Sequence, residues 1–159
     1  MDRLDHVKES VDPNVVVLVA TAILRSGKIL LVREEAEPYN KSWVIPQGYL
    51  KSNESLEDAA RREVREELGV DLEMLNFVGL FEDFKQEGER VLHYVIACFL
   101  ASMRSSDEIR SSYEVIDSVW IDPSIGRPGA PLVVQRMLRD ISNTINKKRL
   151  DFARHAFGI

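Results

Sequence analysis

Residues 48–70, GYLKSNESLEDAARREVREELGV, constrain the fold of this chain more than any other stretch. The segment opens with a glycine and a polar loop and then has the composition of a helix. Ser55 is a suitable N-cap with Asp58 three residues later, close to a capping box, and Gly69 lies where a C-cap glycine belongs. Aliphatic side chains recur at every fourth position between the caps: Leu56, Ala60, Val64 and Leu68. We therefore predict an amphipathic helix with one face against a hydrophobic core.

Three carboxylates lie beside that apolar stripe, at Glu63, Glu66 and Glu67. At about 100° per residue they fall within an arc of roughly 100° on the helix surface. Like charges this close disfavour each other's ionised form, and Mg²⁺ is a cation that prefers carboxylate oxygens. The alternative is a solvated charged face, which is the commoner role of such a charge run. The helix by itself leaves both interpretations open.

The spacing through the whole segment favours the metal-site interpretation. The segment fits the pattern G-x5-E-x7-R-E-U-x-E-E-x-G-U, where U is a bulky aliphatic residue, without a mismatch. At average residue usage, a chance match at one start position is on the order of 10⁻¹⁰. The matching positions are Gly48, Glu54, Arg62, Glu63, Val64, Glu66, Glu67, Gly69 and Val70. The segment resembles the Nudix box of the Nudix hydrolase family, and a looser resemblance extends over roughly residues 14 to 125.

The resemblance implies a role for the matched polar positions. The implied catalytic metal ligands are three carboxylates and one backbone carbonyl, those of Glu63, Glu66, Glu67 and Gly48. Glycine suits its place because close backbone approach requires that no side chain be in the way. Glu54 and Arg62 are implied to support the loop and the helix, often as an ion pair. Arg33 is a candidate for binding substrate phosphate, with a solvated strand end as the alternative.

A further glutamate precedes a late predicted strand. Glu114 lies six residues before Trp120 in the segment YEVIDSVWIDP. Many Nudix enzymes have a glutamate at the corresponding place that completes the metal site or activates water. The resemblance therefore makes Glu114 a candidate catalytic residue, and Glu66, Glu67 and Glu114 are all eligible as the general base. A solvated strand-end acid is the alternative, and other nearby acids compete for the role: Asp107, Glu108 and Asp117.

The patterns on either side of the box predict a mixture of strands and helices. The predicted strands cover residues 14–24, 28–32, 42–46, 77–84 and 91–100, with a late strand around Trp120. A second helix is predicted at 131–145, from its apolar periodicity. This order favours an α+β class, or an α/β/α sandwich. The family resemblance sharpens the expectation to the Nudix fold, a mixed β-sheet packed between helices.

Length and composition predict a single domain over residues 1–159, with a polar lead-in at 1–12 and a basic tail at 146–159. The tail can extend the second helix, cover a subunit contact in a homodimer, or fray. The net charge of −5 argues against an extended nucleic-acid partner but not against one bound nucleotide. The single Cys98 leaves no intrachain disulfide and favours a reducing, cytoplasmic setting. No apolar run has the length of a membrane span.

The resemblance implies a hydrolase that depends on Mg²⁺, with Mn²⁺ as a substitute, and acts on a small nucleotide. We expect hydrolysis of the diphosphate linkage in a nucleoside diphosphate linked to another moiety X, giving a nucleoside monophosphate and phosphate-X. The segments around the box look most like ADP-ribose pyrophosphatase-type members. The PQG before the box is instead similar to members that act on dinucleoside polyphosphates or RNA 5′ ends, and nucleoside triphosphates are a further alternative. A non-catalytic ligand-sensing module is the alternative of another class, although the complete acidic set argues against it.

Overall fold

The computed structural model describes residues 12–104 and 106–158, so most of the predicted lead-in lies outside the described residues. The strands are β1 (Val15–Arg25), β2 (Lys28–Glu34), β3 (Gln47–Tyr49), β4 (Leu72–Glu87), β5 (Arg90–Met103) and β6 (Val115–Ile121), and the helices are α1 (Leu56–Leu68) and α2 (Leu132–Phe157). Within the described ranges the strands form one sheet in the order β4-β5-β1-β2-β6, with β3 paired to β1. β1 and β5 run parallel and the other pairs run antiparallel, which makes the sheet mixed.

The two helices cover opposite faces of this sheet. On one face, three strand residues and two alanines of α1 form an apolar cluster: Val19, Ala97, Phe99, Ala59 and Ala60. On the other face, Leu24 of β1 and Leu100 of β5 lie beside Ile145 of α2. Side chains alternate between the faces along a strand, which is why neighbouring positions of β1 and β5 contact different helices. The predicted α+β sandwich, with a mixed sheet between helices, is confirmed.

The first helix begins and ends where its caps predict. Ser55 has an extended backbone, and its side chain accepts a hydrogen bond of 3.0 Å from the backbone N–H of Asp58. Gly69 has φ 67°, a left-handed conformation in which glycine carries no steric penalty, and it donates to the carbonyl of Arg65. Val64 and Leu68 are fully buried. The helix is thus fixed at both ends and along one face, which holds its acidic edge next to the core.

One predicted strand is wrong in its position. The segment 42–46 joins the sheet through a single bridge between Val44 and Val32, and the strand β3 follows it at Gln47–Tyr49. Pro46 has no N–H and cannot donate to a strand ladder. Its carbonyl nevertheless accepts a hydrogen bond of 2.8 Å from the backbone N–H of Thr21 in β1. The chain therefore enters the sheet after the proline, directly before Gly48.

The second helix is longer than predicted. It runs from Leu132 to Phe157, so the basic tail at 146–159 continues the helix as far as residue 157. Its buried side chains are those of the first half, through Ile145. In the part of the chain that the structure describes, no helix is both long and apolar enough to cross a membrane.

Candidate active site

A cleft of about 230 Å³ opens where the end of β2, strand β3, the acidic edge of α1 and the segment before β6 meet. Its lining residues include five glutamates: Glu34, Glu37, Glu63, Glu67 and Glu114. Lys51 also lines the cleft. Carboxylates therefore outnumber ammonium groups among the described lining residues. This excess of negative charge favours a cation as the cleft's ligand.

The most buried of these acids are Glu67 and Glu34, which are 6% and 9% exposed. Oε2 of Glu67 and Oε1 of Glu34 have no hydrogen-bond partner among the described residues. Burial raises the pKa of Glu67 above its usual range, and the negative charges of Glu34, Glu63 and Glu114 raise it further. Burial also raises the pKa of Glu34. An unpaired buried carboxylate is costly, and a cation between these groups would offset that cost.

Arg62 connects the acidic edge of the helix to the preceding loop. Its Nη2 and Nε donate to the two oxygens of Glu54 at 2.7 and 2.9 Å. Nη1 donates to Glu63 at 2.6 Å and to Glu66 at 3.2 Å, and Nη2 also reaches the carbonyl of Tyr49 at 3.0 Å. The hydrogen bonds from Arg62 lower the pKa of Glu54 to about 2. The predicted ion pair of Glu54 and Arg62 is thus present as a bidentate salt bridge, the favoured geometry for a guanidinium and a carboxylate.

Gly48 lies directly against the carboxylate of Glu63. A Cβ at this position would lie 1.9 Å from Cδ of Glu63, far closer than any real contact. Only a glycine leaves that space free, so here the absence of a side chain allows the backbone of β3 and the acid of α1 to approach each other.

Glu114 is brought to the same cleft by hydrogen bonds between its own segment and the end of α1. The backbone N–H of Ser112 donates to the carbonyl of Glu67 at 2.7 Å, and that of Arg110 donates to Leu68 at 2.8 Å. These bonds use two of the last helix carbonyls, which have no partner within the helix. The side chain of Glu114 is exposed, in contrast to the buried Glu67.

Two predicted site residues do not line the cleft. Glu66 has a side chain that is 53% exposed, and its contact is with Arg62. Arg33 donates from Nε to the carbonyl of Lys41 at 3.0 Å, and its guanidinium lies 5.4 Å from the ring centroid of Trp43. Adjacent strand residues point to opposite faces, so Arg33 is directed away when Glu34 points into the cleft.

Glu34 is a cleft residue that the sequence analysis did not single out. The predicted strand ended at Val32, whereas β2 continues through Glu34. Had the strand been extended, its period of two would have placed Glu34 on the same face as Val32. Of the competing acids, Asp107 and Glu108 lie in a different depression, beside Gly69.

The donor set fits a hard divalent cation. Carboxylate oxygens are the preferred ligands of such ions, and two buried oxygens point to no other partner. Within residues 12–104 and 106–158, however, no three acidic, histidine or cysteine side chains are already drawn together around one point. Arg62 instead holds Glu63 and Glu66.

Comparison with curated proteins finds relatives of different stated activities. A low-salt glycan biosynthesis protein from Haloferax volcanii is 35% identical over 100 residues, 60% of this chain and 64% of that protein. An 8-oxo-dGDP phosphatase from Danio rerio is 33% identical over 100 residues, 58% of this chain and 29% of the relative. An ADP-ribose pyrophosphatase from Methanocaldococcus jannaschii is 29% identical over 65 residues, 41% of this chain and 38% of the relative. The chain therefore spans less than two thirds of the length of each.

A solved structure and a family model agree on the family. The crystal structure of a MutT NUDIX hydrolase from Burkholderia pseudomallei matches with a TM-score of 0.70 and 25% identity, covering 80% of this chain and 98% of that one. The family model for the NUDIX domain matches residues 13–133, which is well over half of the chain. That range contains the whole box, the cleft and Glu114. The chain belongs to the Nudix hydrolase family.

Proposed function

We propose that this protein hydrolyses the diphosphate linkage of a nucleoside diphosphate linked to another moiety X, in the manner of an ADP-ribose or nucleotide-sugar pyrophosphatase. The products are a nucleoside monophosphate and phosphate-X. The observation that carries the proposal is the cleft itself, in which buried carboxylates with unpartnered oxygens lie beside Gly48. Nudix hydrolases generally use a divalent metal and act on small nucleotides. We propose Mg²⁺ as that metal, with Mn²⁺ as a substitute.

Glu63, Glu67 and the backbone carbonyl of Gly48 would hold the cation. Glu66 lies outside the cleft and contacts Arg62, so it would reach the cation only from the exposed side of the helix. When bound, a divalent cation neutralises the charge of the diphosphate and makes the attacking water more acidic. Glu54 fixes Arg62 and thereby the spacing of the acids along the helix.

Glu114 is our first candidate for the general base. A base must not be consumed as a metal ligand, and it must reach a water molecule in line with the leaving group. Glu114 lines the cleft from a segment outside the helix, and its side chain is exposed to water. Glu66 and Glu67 are the alternatives within the helix.

The cleft is smaller than a whole nucleotide substrate, and its acidic lining would need a cation between it and a phosphate group. Its volume of about 230 Å³ is below the roughly 300–1,000 Å³ of pockets that enclose whole ligands. We infer that the cleft takes the diphosphate, with the nucleoside extending beyond it. Lys51 supplies a positive charge among the lining residues, whereas Arg33 would have to leave Trp43 to contact a phosphate.

A free nucleoside diphosphate or triphosphate is the second candidate substrate. The relative named as an 8-oxo-dGDP phosphatase favours it, just as the relative named as an ADP-ribose pyrophosphatase favours the first. Dinucleoside polyphosphates and RNA 5′ ends would meet the same cleft chemistry. A ligand-sensing module without turnover is the alternative of another class.

A substrate panel with product identification tests the proposal. The panel comprises ADP-ribose, nucleotide sugars, diadenosine polyphosphates, nucleoside diphosphates and nucleoside triphosphates, each incubated with Mg²⁺, with Mn²⁺ and with EDTA. We expect at least one substrate of the NDP-X class to yield a nucleoside monophosphate, and EDTA to abolish its turnover. Tight binding of a panel member without hydrolysis of any would favour the sensing module. Turnover that persists in EDTA would contradict the cation's role.

A further inference from the structure

We propose that Glu34 is a further cation-holding residue of this site, which together with Glu67 binds a divalent cation on the strand side of the cleft. The inference rests on the proposed function, because it adds a residue from the sheet to a site otherwise built from α1 and β3. It concerns a position outside the box, at the end of β2.

The surroundings of Glu34 leave its charge without compensation. Its side chain is buried, its Oε1 has no hydrogen-bond partner among the described residues, and none of the ion pairs found there includes it. The next residue, Glu35, is different, because it is exposed and forms an ion pair of 3.4 Å with Lys41. A carboxylate buried away from any cation is destabilising unless a ligand pairs with it.

The backbone around Glu34 is fixed, so its direction is a property of the fold. Its carbonyl accepts a hydrogen bond of 2.7 Å from the backbone N–H of Lys41. The pairing of β2 with β6 shifts register between Arg33 and Glu34, with Arg33 opposite Asp117 and Glu34 opposite Val115. The extra residue of this bulge is Ile116 of β6, so β2 itself stays regular, and such bulges are often found next to active sites. Here it accompanies a carboxylate that points into the cleft.

A shared proton is the alternative to a bound cation as the group that relieves the repulsion between the carboxylates of Glu34 and Glu67. Burial and the neighbouring negative charges raise the pKa of both carboxyl groups, which is the condition under which two acids share a proton. A glutamine in place of Glu34 distinguishes the bound cation from the shared proton. Glutamine can replace a protonated acid as a hydrogen-bond donor, but it is a poor ligand for a hard cation.

The test is Mn²⁺ binding without substrate, measured by titration calorimetry and by the electron paramagnetic resonance signal of free Mn²⁺. The variants are Glu34→Gln and, as a matched control with the same charge change, Glu35→Gln. We expect the affinity for Mn²⁺ to fall about 10- to 100-fold in Glu34→Gln and to stay unchanged in Glu35→Gln. In EDTA, Glu34→Gln should melt at a higher temperature than the wild type, and Mn²⁺ should raise its melting temperature less.

The outcomes separate this inference from the proposed function. Wild-type affinity in Glu34→Gln would overturn the inference and leave the proposed function standing, since the helix carboxylates would then hold the cation without the strand. A wild-type protein that binds no Mn²⁺ would overturn the proposed function as well. If Glu34→Gln does not fold, Glu34→Asp decides, because it keeps the charge but withdraws it by one methylene. Unchanged Mn²⁺ affinity in Glu34→Asp would also overturn the inference.

Discussion

Glu66 and Glu67 are neighbours in the sequence but differ in their surroundings. Glu67 is buried in the cleft with an unpartnered oxygen, whereas Glu66 is exposed and bound to Arg62. We predict that Glu67→Gln lowers kcat/KM about 1,000-fold, which corresponds to about 4 kcal/mol of lost transition-state stabilisation. Glu66→Gln should cost less, about tenfold, because its carboxylate is the more solvated of the two. Steady-state kinetics on the best panel substrate measures both, with circular dichroism to establish that the variants fold. Equal losses would show that Glu66 enters the cleft during turnover.

The burial of Glu67 also predicts how stability depends on pH in EDTA. Its pKa is raised from the usual 4.5, so the folded state binds this proton more tightly than the unfolded state does. The contribution of Glu67 to the free energy of unfolding therefore falls as the pH rises above 4.5. Glutamine does not titrate, so Glu67→Gln should become increasingly more stable than the wild type as the pH rises. Urea unfolding of both proteins at several pH values between about 5 and about 8, above the ordinary pKa of the group, measures the difference in the free energy of unfolding. A difference that stays constant across this range would contradict the prediction.

Individual residues show where sequence reasoning succeeds. The resemblance to the Nudix box implied that Gly48, Glu63 and Glu67 meet, and all three line the cleft. Glu34 was missed because the strand was predicted to end at Val32, whereas pairing with β6 extends β2 through Glu34. Arg33 was a candidate because of the family resemblance, with a solvated strand end as the alternative, and its guanidinium lies over Trp43 outside the cleft.

The site depends on the close contact between strand β3 and helix α1. Because a Cβ at Gly48 would overlap Glu63, we predict that Gly48→Ala displaces this carboxylate and removes most Mn²⁺ affinity and turnover. The stability should fall by only about 1 kcal/mol, since the displaced group is the end of a flexible side chain in a partly exposed ion pair. Calorimetric Mn²⁺ binding and urea unfolding measure the two effects.

Gly79→Ala, in strand β4 outside the cleft, is the matched control. A Cβ there would lie 3.7 Å from Phe81, an ordinary contact, so binding and turnover should be retained. Mn²⁺ affinity that survives in Gly48→Ala would mean that the close approach of β3 has no part in the site.

At the level of elements, local signals were the reliable ones. The caps Ser55 and Gly69 defined α1 because a cap is made by residues a few positions apart. The position of β3 was wrong because it depends on pairing with Val19 and its neighbours in β1, a long-range contact that no local pattern encodes. α2 was predicted too short, since its second half lacks the buried side chains on which the periodicity depends.

The assembled sheet brings together three parts of the sequence at the cleft: the end of β2, the segment from β3 to α1, and the segment before β6. The strand order β4-β5-β1-β2-β6, with β1 parallel to β5, could not be derived from the order of the elements. The family resemblance implied a mixed sheet packed between helices, but it did not predict this strand order. The cleft is therefore a property of the assembled sheet, and the acids outside the box reach it only when β2 and the segment before β6 are in place.

Glu114 is the residue whose role depends most on this assembly. Its segment is hydrogen-bonded through Ser112 to the helix residue Glu67, and its side chain lines the cleft while staying open to water. We predict that Glu114→Gln lowers kcat about 100-fold with little change in KM, the pattern for a group that acts in the transition state as a general base. Mn²⁺ affinity should change much less than in Glu67→Gln.

Glu108→Gln is the control, because Glu108 carries the same charge on the same connection but lies beside Gly69. Its kcat should match that of the wild type. An unchanged kcat in Glu114→Gln would exclude Glu114 as the base and direct the search to the helix, whereas a loss of Mn²⁺ affinity equal to that of Glu67→Gln would make Glu114 a metal ligand instead. Comparing the loss of kcat with the loss of Mn²⁺ affinity distinguishes these roles. Replacing a general base removes a proton acceptor but leaves the ligands of the cation unchanged.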